Sequence, residues 1–135
     1  MPTDPVRGDV LVVDDDPDMV EVIRLVLGQA DYRTRGAENG KQALQAVEER
    51  LPSLVLLDML MPIMSGWQCA KELRARYGRQ LPIVVMTAAE HARARSDEVE
   101  ADDVLSKPFE IAELLRVVAK HVGPADPRRR SGDRT

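Results

Sequence analysis

Val10-Leu11-Val12-Val13, closed by Asp14-Asp15-Asp16-Pro17, is the stretch on which the fold turns. A short, continuously apolar run rich in β-branched residues suits a strand buried on both faces, as strands of parallel sheets are, and the acidic cluster marks where it stops. Pro17 then opens a helix at its first position, with Asp16 before it as a capping residue. The reading is strand, acidic loop, helix.

Working outward, three more runs resemble the first: Leu54-Val55-Leu56-Leu57 before Asp58, Ile83-Val84-Val85-Met86 before Thr87, and the weaker Val104-Leu105 before Ser106-Lys107-Pro108. A fifth strand is expected over Tyr32 to Arg35. Helical spacing fills the gaps. The first helix continues through Met19, Val22, Ile23, Val26 and Leu27 to Gly28. The second follows Asn39-Gly40 with Ala43, Leu44 and Val47 on one face and Pro52 as a stop. The third runs from Gly66 to Tyr77 with Cys69, Ala70 and Leu73 inward. A polar, Arg-rich helix is expected from Ala89 to Val99, the most mobile of the set. The last carries Ile111, Leu114, Leu115 and Val118 and stops at Gly123-Pro124. Strand and helix alternating five times with short connections predicts an α/β domain, a parallel sheet with helices on both faces. Residues 1–9 read as a polar lead-in, 10–123 as the domain, and 124–135 as a disordered tail or the start of a linker.

Composition bounds the function. The 135 residues are 44% hydrophobic, enough for one core, and the net charge of −4 argues against a whole-surface binder of nucleic acid or anionic membrane. One cysteine, Cys69, allows neither an internal disulfide nor a multi-cysteine metal site, which fits a reducing compartment. Met1-Pro2-Thr3-Asp4-Pro5 opens no secretory signal, and no apolar run approaches the roughly 18 residues needed to cross a bilayer. A soluble, cytoplasmic protein is expected.

In open α/β sheets, ligands bind beyond the carboxyl ends of the strands. Parallel pairing therefore gathers Asp14, Asp15, Asp58, Thr87 and Lys107 at one rim. Close carboxylates repel by about 4 kcal/mol per pair at an effective dielectric near 20, unless a cation or proton intervenes. All-oxygen ligands suit a hard ion, and Mg2+ fits best. A carboxylate can also attack phosphorus to give an aspartyl phosphate, whose oxygens Lys107 and Thr87 would receive with hydrogen bonds.

These residues fall in four motifs: Val12-Val13-Asp14-Asp15-Asp16-Pro17, Asp58-Met59-Leu60-Met61-Pro62 with Gly66 after it, Met86-Thr87-Ala88, and Ser106-Lys107-Pro108-Phe109. Together, in this order and spacing, they resemble the receiver domain of two-component response regulators from about Asp9 to Val122. The resemblance implies a flavodoxin-like, doubly wound five-stranded sheet of order 2-1-3-4-5. It implies Asp58 as phosphoryl acceptor, Asp15, Asp58 and the backbone carbonyl of Leu60 as direct Mg2+ ligands, and Asp14 as a ligand through water. Thr87 would be the switch hydroxyl, Lys107 the phosphate-pairing lysine, and the Lys107-Pro108 bond is often cis in such domains. Two positions depart from the pattern: Val104 stands where the family usually has a switch aromatic, and Glu100 where a glycine is common.

Blander readings stand beside these. Asp16 is a helix cap, and Met59, Met61, Met64 and Met86 are packing residues; Leu60 is a different case, since the resemblance implies that it, like Ala89 two positions after Thr87, affects access of water to the phosphate. Trp67 packs and serves as a fluorescence reporter. His91 and His121 are expected exposed, with His91 able to face a kinase or target. The tail's Arg128-Arg129-Arg130 is offset by Asp126 and Asp133 and is read as solvated rather than nucleic-acid-binding. A Mg2+-dependent phosphatase would need a second acid where Leu60 stands, and Gly36 to Gln42 lacks the spacing and hydroxyl of a phosphate-binding loop. The expected function is a signalling switch rather than an enzyme, catalysing only its own phosphorylation and dephosphorylation. A histidine kinase or histidine phosphotransfer protein would be the donor, and a downstream protein would meet the 88–122 face. No nucleic acid or membrane partner is expected for this domain, which would be a monomer or weak homodimer. A stand-alone regulator is expected; the alternatives are the receiver part of a longer chain with an output domain, or a phosphorylation-independent interaction module.

Overall fold

The structure is a computed structural model, and it describes residues 9–61, 63–88 and 100–123. Five parallel strands, β1 (Asp9–Val13), β2 (Arg33–Ala37), β3 (Leu54–Asp58), β4 (Ile83–Ala88) and β5 (Asp103–Lys107), form one sheet in the order 2-1-3-4-5. The described helices are α1 (Pro17–Gln29), α2 (Gly40–Glu49), α3 (Gly66–Tyr77), followed by a 3-10 turn (Gly78–Gln80), and α4 (Ile111–Val122). The expected α/β architecture and strand order are both present. The helix read over 89–99 and the tail 124–135 lie outside the described residues.

Side chains on a strand alternate between faces, so the continuous apolar runs feed two cores. Leu11, Val13, Val55, Leu57, Ile83 and Val85 meet Ala43 and Val47 of α2 and Cys69, Ala70 and Leu73 of α3. Val10, Val12, Leu54, Leu56, Val84 and Met86 meet Val20, Ile23 and Leu27 of α1 and Leu114 and Val118 of α4. Helices thus cover both faces of the three central strands. An apolar run without alternation is the sequence of such a strand.

Several local expectations shift. β2 is Arg33–Ala37 rather than Tyr32–Arg35: Tyr32 turns into the α1-side core, where its hydroxyl donates to the Gly123 carbonyl at 2.7 Å. Asp9, read as the end of a polar lead-in, is the first residue of β1 and is buried, because Arg35 of β2 pairs with it at 2.8 Å and Arg50 at 3.5 Å. On α1 the inward stripe is Val20, Ile23 and Leu27, which follows the helical i, i+3, i+7 spacing and leaves Val22 54% exposed. Ile111 at the start of α4 is likewise exposed. His121 is half-buried instead of exposed, its Nε2 lying 3.1 Å from the Asp103 carboxylate, which Lys120 also reaches at 3.0 Å.

Candidate functional site

Strand register sets the site. β1 ends at Val13 opposite Leu57, so Asp14 and Asp58 emerge side by side at the same sheet edge. Asp58 is opposite Met86, and Thr87 follows one residue on. Thr87 in turn is opposite Ser106, with Lys107 next along β5. Asp58, Thr87 and Lys107 belong to the strands themselves, while Asp14 and Asp15 begin the loop into α1. Four strand ends therefore deliver the five expected groups to one rim.

The acidic loop is held by its own side chains. The Asp14 backbone N–H donates to the Ala37 carbonyl at 3.1 Å, and the Asp14 carboxylate accepts the Asp16 N–H at 3.0 Å. Asp16 caps α1, accepting the Asp18 N–H at 3.0 Å ahead of Pro17 in the first turn. Beyond Asp58 the chain turns back so tightly that a Cβ on Gly66 would overlap the Asp58 carbonyl and lie 2.6 Å from the Met59 Cα. Only glycine permits that approach. Ser65 and Gln68 then exchange side-chain and backbone hydrogen bonds as a capping box, so α3 starts against the loop that follows Asp58.

Carboxylate oxygens of Asp14, Asp15 and Asp58 lie within 4.8 Å of one another. Asp14 and Asp58 are buried, Asp15 is exposed, and Thr87 is buried. The Lys107 ammonium donates to Asp14 at 2.9 Å and to Asp58 at 3.3 Å. Burial, reinforced by the Asp14 charge, pushes the Asp58 carboxyl up to about 6, against the pull of Lys107 and of a hydrogen bond from the Leu60 N–H. Burial would lower Lys107, but its hydrogen bond to Asp14 and the two carboxylate charges outweigh that and raise it. Three carboxylates against one ammonium leave an excess of negative charge in a cup of hard oxygen ligands. Such a donor set fits Mg2+.

The structure thus brings together Asp14, Asp15, Asp58 and Lys107, with Thr87 beside them. Leu60 meets Asp58 through its N–H and is 68% exposed. Val104 sits in β5 opposite Val85, half-buried against the α3-side core, with no aromatic ring at that place. The Lys107-Pro108 bond is cis. Pro62, Ala89 and His91 lie outside the described residues. Sequence reasoning did not see that Lys107 would bridge two carboxylates, since nothing local relates residues 93 positions apart. Nor did it see the apolar cleft of about 420 Å³ beside Lys107, lined by Met19, Val22 and Val26 of α1, Phe109 of the loop before α4 and Ile111 at the start of α4.

Comparison with known proteins agrees with this geometry. The sequence model of the response regulator receiver domain matches residues 10–119. The DNA-binding response regulator MtrA of Mycolicibacterium smegmatis is 40% identical over 120 residues, covering 83% of this chain and 49% of MtrA. A crystal structure of a putative response regulator from Chloroflexus aurantiacus superposes with a TM-score of 0.80 at 36% identity, covering 85% of this chain and 97% of that one. TrrA of Thermotoga maritima, solved in complex with Mg2+ and BeF, gives a TM-score of 0.76 at 35% identity, covering 84% and 97%. The chain spans about half the length of the curated relatives it matches.

Proposed function

The chain belongs to the response regulator receiver domain family, signalling switches of two-component systems, and from that premise we propose that it accepts a phosphoryl group on Asp58 in a Mg2+-dependent step. The observation that carries this reading is the Lys107 ammonium bound to both Asp14 and Asp58 inside one acidic cup. Asp14, Asp15, Asp58 and the Leu60 carbonyl would hold the metal. When bound, Mg2+ supplies positive charge that offsets the charge of the incoming phosphoryl group.

The remaining chemistry belongs to the chain. A carboxylate oxygen of Asp58 attacks phosphorus; the bond from phosphorus to the donor's imidazole nitrogen breaks, and its electron pair returns to that nitrogen. Asp58 must be ionised to attack, and above about pH 6 it is. Lys107 exchanges its bond to Asp58 for a charge-assisted bond to a phosphoryl oxygen, and the Thr87 hydroxyl donates to another. Two or three such bonds, at about 1.5–3 kcal/mol each, are of the size needed to shift a two-state equilibrium decisively. Hydrolysis of the aspartyl phosphate by the same site resets the switch.

A histidine kinase or histidine phosphotransfer protein is the proposed donor, and the 88–122 face the proposed output surface toward a downstream protein. The exposed Val22 and Ile111 beside Lys107 support a protein partner, since contiguous apolar surface of this kind marks protein contact. Among the described residues no helix is long and apolar enough to cross a membrane. A cytoplasmic location, a monomeric or weakly dimeric state, and the division into lead-in, receiver and tail belong to the same proposal. A second reading, in which this domain is the receiver of a longer regulator, is favoured by relatives of about twice its matched length, one of which is described as DNA-binding. Immunoblotting of native extract separates the two: a band at 15.0 kDa supports the stand-alone protein, a larger one the longer regulator. The acceptor chemistry is tested by intact mass after incubation with acetyl phosphate. One Mg2+-dependent phosphoryl adduct, absent from Asp58→Asn, is expected; an equal adduct on the variant would refute it.

A further inference from the structure

Helix α3 is gripped at both ends. At its start Gly66 lies against the Asp58 carbonyl, and its N–H donates to the Met59 carbonyl at 3.1 Å. Near its other end Arg74, 10% exposed, donates through Nε and Nη2 to the Glu100 carbonyl at 3.2 and 2.9 Å. It also donates through Nη1 to the carbonyls of Gly78 at 2.9 Å and Leu81 at 2.7 Å, and through Nη2 to the Asp102 carboxylate at 2.7 Å. A guanidinium carries five N–H donors in a planar fork, and these bonds engage every nitrogen of it. Arg79 adds a bond of 2.8 Å to the same Glu100 carbonyl.

That grip holds an unusual turn. Glu100 has φ 55, the left-handed region that favours glycine, and its carbonyl is aimed into the arginine fork. Asp102 accepts the Ile83 N–H at 2.8 Å and gives its own N–H to the Ile83 carbonyl at 2.8 Å, so the turn sets where β5 leaves the edge of β4. Between the two grips Cys69, Ala70 and Leu73 are buried and hold the helix on the sheet. From Gly66 to Arg74 the rod is about 12 Å long at 1.5 Å per residue. Its ends touch the acceptor loop and the head of β5 without an intervening flexible link.

We propose that α3 is a lever: a backbone change at Asp58 and Met59 displaces Gly66, and Arg74 carries the displacement to Glu100 and Asp102 at the start of β5. The proposal rests on the reading of Asp58 as acceptor and adds the route by which its state reaches the β5 edge. Arg74 is a positioning residue in this scheme and does not touch the acceptor.

The test loads the 135-residue chain with Mg2+ and beryllofluoride, a phosphoryl mimic, and follows occupancy by fluorine NMR and amide hydrogen exchange over residues 100–105. In the natural chain, loading should change exchange there by about fivefold or more, the low end of ordinary coupling between sites. Arg74→Lys keeps the charge but cannot bridge the same carbonyls. At equal occupancy, with its fold checked by circular dichroism, it should lose that response. If Arg74→Lys does not fold, Arg74→Gln, whose shorter single amide cannot span the carbonyls of Gly78, Leu81 and Glu100 together, should lose the response instead. A full response in the variant tested overturns the lever, as does a natural chain that loads without change at 100–105. A natural chain that fails to load overturns the acceptor reading, and the lever falls with it.

Discussion

Ionising Asp58 works against the fold. Its carboxyl titrates near 6 in the folded chain and at 3.8 without the surrounding protein, so the folded state holds its proton the more tightly. The associated stability is therefore present below about pH 4 and lost as pH rises through 6, a loss of up to about 3 kcal/mol at 1.36 kcal/mol per unit. Asp58→Asn should thus raise the unfolding free energy at pH 7.5 by about 1–3 kcal/mol and leave it nearly unchanged at pH 4. Urea unfolding at the two pH values checks this; equal effects at both would show that the Lys107 pairing cancels burial, and a loss at pH 7.5 that it outweighs burial. Glycines make a second contrast. Gly66→Ala should cost about 3 kcal/mol or more, because its Cβ meets the backbone of Asp58 and Met59, which cannot give way as a side chain can. Gly28→Ala, with open space around it in α1, should gain about 0.5–1 kcal/mol from helix propensity. Thermal unfolding of both variants tests the pair, and a loss at residue 28 would contradict it.

The strands were legible where burial on two sides left an uninterrupted apolar run, as in β1, β3 and β4. They were less legible at β2, Arg-Thr-Arg-Gly-Ala, whose side chains look like those of a loop. What makes it a strand is distant: Arg35 reaches Asp9 of β1 at 2.8 Å and the carbonyls of Ala46 at 2.8 Å and Arg50 at 2.8 Å, pinning β2 to the end of α2. Removing Arg35 leaves the buried Asp9 carboxylate, among the described residues, with the longer Arg50 contact, and breaking a buried pair costs about 3–5 kcal/mol. Arg35→Met should lose an amount near the lower end, read from denaturant midpoints; a loss below about 1 kcal/mol would mean that Arg50 takes over. The same limit applies at β5. Glu100 departs from the glycine of the family pattern, and the reason its left-handed backbone is tolerated, the Arg74 fork, stands 26 residues away in α3. The gathering of Asp14, Asp15, Asp58, Thr87 and Lys107 at one rim could be read in advance because each lies at or just past the end of a strand of recognisable composition. Their pairing could not, since it depends on register between strands far apart in sequence.

Asp14, Asp58, Thr87 and Lys107 lie at the ends of β1, β3, β4 and β5, so the acidic cup exists only when these four strands are assembled. Binding of Mg2+ to the cup is then linked to global folding: at 100 times its dissociation constant the ion should add about 2.7 kcal/mol to the unfolding free energy. Thermal melts of the natural chain and of Asp15→Asn, with and without Mg2+, test this, and an equal shift in both would place the ion elsewhere. The same assembly puts Asp58, the Lys107 ammonium and the apolar cleft between α1 and α4 beside one another. What most directly tests the assignment of Asp58 is chemical trapping of the phosphorylated chain. Borohydride reduces an acyl phosphate to the alcohol, so after acetyl phosphate and Mg2+ treatment, peptide mass spectrometry should find homoserine at residue 58 alone. Homoserine at residue 14 or 15, or a phosphorylated chain with residue 58 unreduced, would contradict Asp58 as the acceptor.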